Sequence, residues 1–138
     1  MIIYIYGLKK KKVNTMRKVQ WTNEQALAIS LENQNIMVSA GAGSGKTAVL
    51  TTRIVQKLKK GIHAQQLLVL TFTNAAAAEM KNRVLQKMKE DPDLKNRVHE
   101  IEQTYITTFD SFALSIVKKY HYLLNLTQDI HIVDSSMI

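Results

Sequence analysis

The sequence contains no cysteine, which rules out both disulfides and thiolate metal sites, and its four histidines (His63, His99, His121 and His131) never fall at ligand spacing. A chain built without disulfides fits a reducing cytoplasm, the location expected for it. Proline is almost as scarce: Pro92, within EDPD, is the one strong breaker, and no internal repeat or low-complexity linker separates the segments. No apolar run is long enough to span a bilayer. The opening MIIYIYGL is too short, and its charges follow the apolar part instead of preceding it as in a signal peptide. Export and membrane insertion are therefore rejected.

What is present suits one compact domain, since 138 residues with 46% apolar content suffice for a single core and not for two. The formal charge of +8 favours polyanionic partners, although Lys9 to Lys12 supply half of it and +4 remains when residues 1–15 are set aside. Those fifteen residues show neither amphipathic period nor turn chemistry. They are read as a disordered or artefactual basic tail, with Met16 as an alternative start and residues 16–138 as the domain.

Thr22 to Gln25 has the T-x-x-Q spacing of a capping box and predicts a helix ending near Glu32. Ile36 to Ser39 (IMVS) has the form of a short buried parallel strand. Leu50, Ile54 and Leu58 recur at i+4 in a helix over Lys46 to Lys60, with Gly61 as its C-cap. Leu67 to Thr73 reads as a second buried strand, which would make residues 36–73 a right-handed strand, helix, strand unit. A further helix capped by Asn74 stops before Pro92, and Tyr105 to Thr107 suggests a third strand. A helix from Asp110 carries Phe112, Ala113, Ile116, Val117 and Tyr120 on one face, and Ile130 to Val133 suggests a fourth strand. This alternation predicts an α/β sandwich with a parallel sheet.

The sharpest chemical signal is AGAGSGKT, Ala40 to Thr47, between a predicted strand and a predicted helix. That is the context of a phosphate-binding P-loop. Ala40 replaces the first glycine of the usual string, while Ala42, Ser44 and the glycines Gly41, Gly43 and Gly45 keep the loop small enough for its amides to turn around an anion. Lys46, at the positive end of its helix, would reach the β and γ phosphates of ATP, and Thr47 would offer its hydroxyl to Mg²⁺. The alternative is a glycine-rich connecting turn with a surface lysine.

Three further segments narrow the family: WTNEQALAI (Trp21 to Ile29), LVLTFTNAAAAEMKNRV (Leu68 to Val84) and ITTFDSFALSIVKKY (Ile106 to Tyr120). With SAGAGSGKTAVL they resemble, in order, the N-terminal motifs of UvrD-like superfamily 1 DNA helicases, and most closely those of the helicase-nuclease subunits. The resemblance implies a P-loop NTPase (RecA-like) three-layer sandwich with a parallel sheet, incomplete here, and binding of ATP, Mg²⁺ and single-stranded DNA. It also implies that Gln25 reads the adenine edge, although Gln25 could serve only as the capping partner of Thr22. By the same resemblance Phe72, Thr73 and Asn74 would contact single-stranded DNA at the mouth of the sheet, Phe72 by stacking, with core packing as its alternative. Thr108 and Ser111 would lie on the same DNA track. Asp110 stands where the family commonly has histidine, would repel a phosphate backbone, and is read as a helix cap. Phe109, Phe112 and Tyr120 read as core. Lys57, Lys59, Lys60, Lys118 and Lys119 read as solvated partners of helix ends.

A motor must also hydrolyse ATP, which needs an acidic pair for Mg²⁺ and water and a charge-stabilising arginine. Neither is identifiable. Asp134 of IHIVD superficially resembles such an acid, but Ser135 follows where a second is wanted, so Asp134 reads as a decoy. The expected function is the ATP-binding segment of an ATP-dependent 3′ to 5′ DNA helicase of repair or recombination, truncated and inactive alone. Its expected partners are single-stranded DNA and a helicase-nuclease partner subunit or the missing remainder of the helicase. The competing readings are a non-hydrolysing module that binds nucleotide and single-stranded DNA, and a small P-loop kinase, in which TFTNAAAAEM would have no role.

Overall fold

The computed structural model describes residues 20–127, 129 and 130. The capping box at its start forms as the sequence predicts. Gln25 N donates to Thr22 Oγ1 (3.3 Å) while Thr22 N donates to Gln25 Oε1 (3.0 Å), so two amides at the helix start are satisfied reciprocally. The helix they open, α1 (Asn23–Ser30), spans two turns and ends slightly before Glu32.

Helix α2 (Lys46–Lys59) carries the buried stripe Leu50, Ile54 and Leu58. Gly61 terminates it with φ +90 and donates its N–H to Leu58 O (3.0 Å), as the C-cap glycine is expected to do. Strand β1 (Leu68–Thr71) leads into helix α3 (Asn74–Glu90), which returns the chain to strand β2 (Tyr105–Thr108). The strands pair in parallel, from Leu68 opposite Tyr105 to Thr71 opposite Thr108. Helix α4 (Phe109–Lys119) leaves directly from β2. The core lies between α2, α3 and the sheet, where Leu50, Ile54, Leu58, Val69, Val84, Met88 and Ile106 pack with Leu94 and Ile101 of the segment before β2. A smaller cluster, Ala28, Ile29 and Val49 with Trp21 against it, seats α1 on α2.

The fold is thus α/β, but the parallel sheet has two strands among the described residues. Ile36 to Ser39 is not a strand: Met37 is 97% and Val38 53% exposed, and the segment lines an open cavity shared with Leu70, Thr71 and Phe72 instead of pairing with β1. A strand needs a neighbour for its amides and carbonyls, and nothing among the described residues supplies one there. The parallel crossover unit is therefore β1, α3, β2, and not residues 36–73. The expected strand at Ile130 to Val133 lies outside the described residues except for Ile130, which is in no strand, and Asp134 and residues 1–15 also lie outside them.

Two caps shift by one or two positions. Thr73, not Asn74, caps α3 by accepting from Ala76 N (3.1 Å), and Thr108, not Asp110, caps α4 by accepting from Ser111 N (3.2 Å). Asp110 sits in the first turn, where its charge suits the helix dipole. The apolar face of α4 is not core: no residue of the helix is buried, and Phe109 and Tyr120 are 44% and 41% exposed. Phe112 is partly covered by an edge-on contact with Tyr105 at 5.7 Å.

The lysines closing α2 are structural. Lys59 bonds Asp91 (2.7 Å) and Lys57 pairs with Glu32 (3.3 Å), which also holds Lys60, so none of the three is merely a solvated helix-end charge. Arg97 ties the end of α2 to the segment before β2 by donating to Leu58 O (2.8 Å) and Ile62 O (3.1 Å) while holding Glu100 (2.7 Å). The guanidinium beside Glu100 pulls that carboxyl down to about 2.

Candidate functional site

The loop from Ala40 to Gly45 is largely exposed and turns through two left-handed glycines, Gly43 (φ +73) and Gly45 (φ +80), the second of which is the N-cap of α2. Only residues without a β-carbon adopt this conformation readily, so the glycines fix the path by which the loop enters the helix. Within the loop, Ser44 N donates to Gly41 O at 3.4 Å, and Val49 N donates to Gly45 O at 2.9 Å to start the helix. No cap side chain covers the start of α2, so its first amides are presented to whatever occupies the loop.

Lys46 is the first residue of α2, and its ammonium turns back to donate to Ala40 O (2.7 Å) and Gly41 O (2.5 Å). Its positive charge is thereby held at the loop mouth, close to where an anion would be cradled. Thr47 follows, half-buried, on the cavity wall, and Thr51 Oγ1 donates to its carbonyl (2.7 Å).

Gln25 is the capping partner of Thr22, and it makes a second contact that the sequence did not show. Its Oε1 completes the capping box, while its Nε2 crosses to the loop and donates to Ser44 O (3.0 Å). The side chain that the resemblance assigns to adenine is therefore fastened to the glycine loop itself. A β-carbon on Gly45 would stand 3.3 Å from Gln25 Nε2, a second sign of how closely these parts fit.

One cavity of about 1010 Å³ joins these residues to the other candidate segment. Its wall includes Gln25, Ala40, Ser44, Lys46 and Thr47 on one part and Leu70, Thr71, Phe72 and Thr73 on another. Phe72 stands 86% exposed just beyond β1, so the core-packing alternative does not apply, and Thr73 and Asn74 are exposed at the start of α3. Phe109 reaches the same wall from the end of β2, with its ring centroid 6.1 Å from that of Phe72. Thr108 is buried, and its hydroxyl both caps α4 and donates to Ser111 Oγ (2.9 Å), which leaves Ser111 as the exposed member of that pair. Among the described residues no group of three or more His, Cys, Asp or Glu is placed to hold a metal ion, and no helix is long and apolar enough to cross a membrane.

Two residues of this site were not singled out by sequence reasoning. Phe109 read as core because it adjoins an apolar helix face. Arg53 of α2 drew no reading from the sequence, and it is 5% exposed, lines the cavity, and donates from Nη1 to Ala28 O (2.6 Å) and Ile29 O (3.2 Å). Its signal lay in its neighbours: a single arginine beside Ile54 and three residues from Leu50, inside the buried stripe of the helix. Burial draws its pKa down, and the nearby Glu32 opposes the shift.

A glycine loop with two left-handed turns, feeding amides and a lysine into the start of a helix beside a parallel sheet, is the arrangement by which α/β domains cradle anions. The profile of the UvrD/REP helicase N-terminal domain matches residues 21–138, and the chain belongs to that family, whose fold is that of a P-loop NTPase. It is 40% identical to an ATP-dependent helicase/nuclease subunit of Heliobacterium modesticaldum over 129 residues, covering 88% of this chain and 9% of that protein. The protein of the same name from Geobacillus thermodenitrificans is 42% identical over 131 residues, covering 86% of this chain and 10% of that one. The Listeria welshimeri relative is 40% identical over 145 residues, covering 96% and 11%. The chain thus spans about a tenth of the length of these relatives.

Proposed function

We propose that this chain is the ATP-binding segment of an ATP-dependent DNA helicase acting in repair or recombination, of the 3′ to 5′ type its family resemblance implies. The observation that carries the reading is the fastening of Gln25 to Ser44 beside Lys46, within a cavity whose wall continues to the exposed Phe72. Adenine, phosphate and nucleic-base contacts would thereby share one surface. Residues Ala40 to Thr47 would hold the triphosphate, with Lys46 moving off Ala40 O and Gly41 O to meet the β and γ oxygens. Thr47 would be a ligand of Mg²⁺, which when bound neutralises charge between the phosphates. Gln25 would read the adenine edge, and Phe72 would stack a base while Thr73, Asn74 and Ser111 bond the strand. The remainder of a RecA-like three-layer sandwich, and a helicase-nuclease partner subunit, would be supplied from outside these residues, in the cytoplasm.

A second reading has its own support: this chain binds nucleotide and single-stranded DNA without turning ATP over. The acidic residues on the cavity wall are Glu24, exposed in the first turn of α1, and Glu79, engaged by Arg83, and they do not form the acidic pair that Mg²⁺ and an attacking water need. Both readings expect no turnover by this chain alone, which phosphate release by the purified chain with and without an oligothymidine tests. Binding with no release supports a binding segment that needs its remaining parts for the motor. DNA-stimulated release shows that a catalytic acid lies within this chain.

A further inference from the structure

Helix α1 carries Gln25 and has little of its own to hold it in place. Eight residues make only two turns, too short to be stable in isolation, and the apolar contact that seats it is confined to Ala28 and Ile29 against Val49, with Trp21 alongside. Its last turn contains no basic residue to meet the carbonyls left open there. Arg53 supplies that charge from the neighbouring helix, bonding Ala28 O and Ile29 O from a buried position. The arrangement leaves Arg53 Nε buried without a hydrogen-bond partner. An unpaired buried donor is costly, so an arginine here is poorly explained by stability alone.

The other end of α1 meets the phosphate loop through Gln25 Nε2 and Ser44 O. Helix α1 is therefore held at two points, one on the loop before α2 and one on Arg53, two turns along α2. We infer that Arg53 is a positioning residue for base recognition: by clamping the end of α1 it sets the angle at which Gln25 is presented beside the phosphate loop. The inference rests on the nucleotide reading proposed above and assigns Arg53 no contact with the nucleotide. Glu32, just beyond α1, also pairs with Lys57 and Lys60, but its side chain is 29% exposed and its partners act on the chain after the helix. It serves as the comparison.

The test is competition binding on the full chain, with Mg·ATP, Mg·GTP and Mg·tripolyphosphate as probes, for wild type, Arg53→Met, Arg53→Lys, Gln25→Ala and Glu32→Gln. The clamp predicts that Arg53→Met weakens ATP about tenfold, leaves tripolyphosphate within about twofold, and brings the ATP to GTP ratio towards that of Gln25→Ala. Arg53→Lys, which keeps the charge and is the more conservative change for folding, should recover part of the discrimination, and Glu32→Gln should keep nearly all of it. Equal losses for ATP and tripolyphosphate in both Arg53 variants would show a merely structural arginine and overturn the inference, while leaving the nucleotide reading intact. If wild type binds none of the three probes, the nucleotide reading falls and the inference with it.

Discussion

Gly43→Ala and Gly45→Ala place the same methyl group on two left-handed residues of one loop, yet the structure gives them different costs. At Gly43 (φ +73) nothing lies within 4 Å of the added β-carbon, so the cost is that of the backbone conformation alone. For an L-residue this is about 1–2 kcal/mol. At Gly45 (φ +80) the same cost applies, and the new β-carbon also meets Gln25 Nε2 at 3.3 Å. Gln25 must shift by a few tenths of an ångström, weakening its bond to Ser44 O, and losing such a bond costs on the order of 1 kcal/mol. For a domain of this size each kcal/mol lowers the melting temperature by about 4 °C. Thermal unfolding followed by far-UV circular dichroism should therefore show Gly45→Ala melting about 4 °C below Gly43→Ala, itself below wild type. Introducing Gln25→Ala into both should close the gap between them, since a coupling vanishes when one partner is removed. A gap of zero, or one that survives Gln25→Ala, refutes the claim that Gln25 is fastened to the loop.

Three further outcomes follow from the packing and charges. Glu100, held by Arg97 at about 2 against an ordinary 4.5, contributes stability that is present above pH 4.5 and is lost as pH falls towards 2. Glu100→Gln should remove on the order of 2–3 kcal/mol at pH 7 and flatten the acid limb of a urea-unfolding series, and a parallel limb in wild type and variant would contradict the clamp. Leu58→Ala, at a fully buried position of α2, should cost about 2–5 kcal/mol by chemical denaturation, and a cost under 1 kcal/mol would mean the core is not packed as described. Phe72→Ala should weaken an oligothymidine about tenfold in fluorescence anisotropy, from a stacking energy of about 1–3 kcal/mol per base, while leaving the melting temperature nearly unchanged because the ring is exposed. Unaltered affinity would remove Phe72 from the DNA surface.

Legibility in the sequence tracked whether the deciding interaction was local. The capping box at Thr22, the stripe Leu50, Ile54, Leu58 and the stop at Gly61 depend on residues three or four apart, and each formed as read. Ile36 to Ser39 carries the composition of a buried strand, but a strand exists only through a neighbour, and composition cannot supply one. The face of α4 failed likewise: Phe109 and Tyr120 have helical spacing, yet both stay about half exposed because too little packs over that face among the described residues. At the site, the glycine loop was legible because Gly41, Gly43, Gly45 and Lys46 lie close together in the chain. The double use of Gln25 and the burial of Arg53 were not, since Ser44 lies nineteen residues from Gln25 and Ala28 twenty-five from Arg53.

The central claim is that the loop from Ala40 to Thr47 binds a nucleotide triphosphate through Lys46, and calorimetric titration of the purified chain with Mg·ATP, wild type against Lys46→Ala, tests it most directly. A unit charge about 4 Å from a phosphate oxygen is worth about 4 kcal/mol at an effective dielectric of 20. Leaving the carbonyls of Ala40 and Gly41 offsets about half of that, since each of these two solvent-exposed bonds contributes about 1 kcal/mol net. The account predicts saturable binding by wild type and a loss of about thirtyfold in Lys46→Ala. Equal affinity of the two proteins, or no binding by wild type, would contradict it.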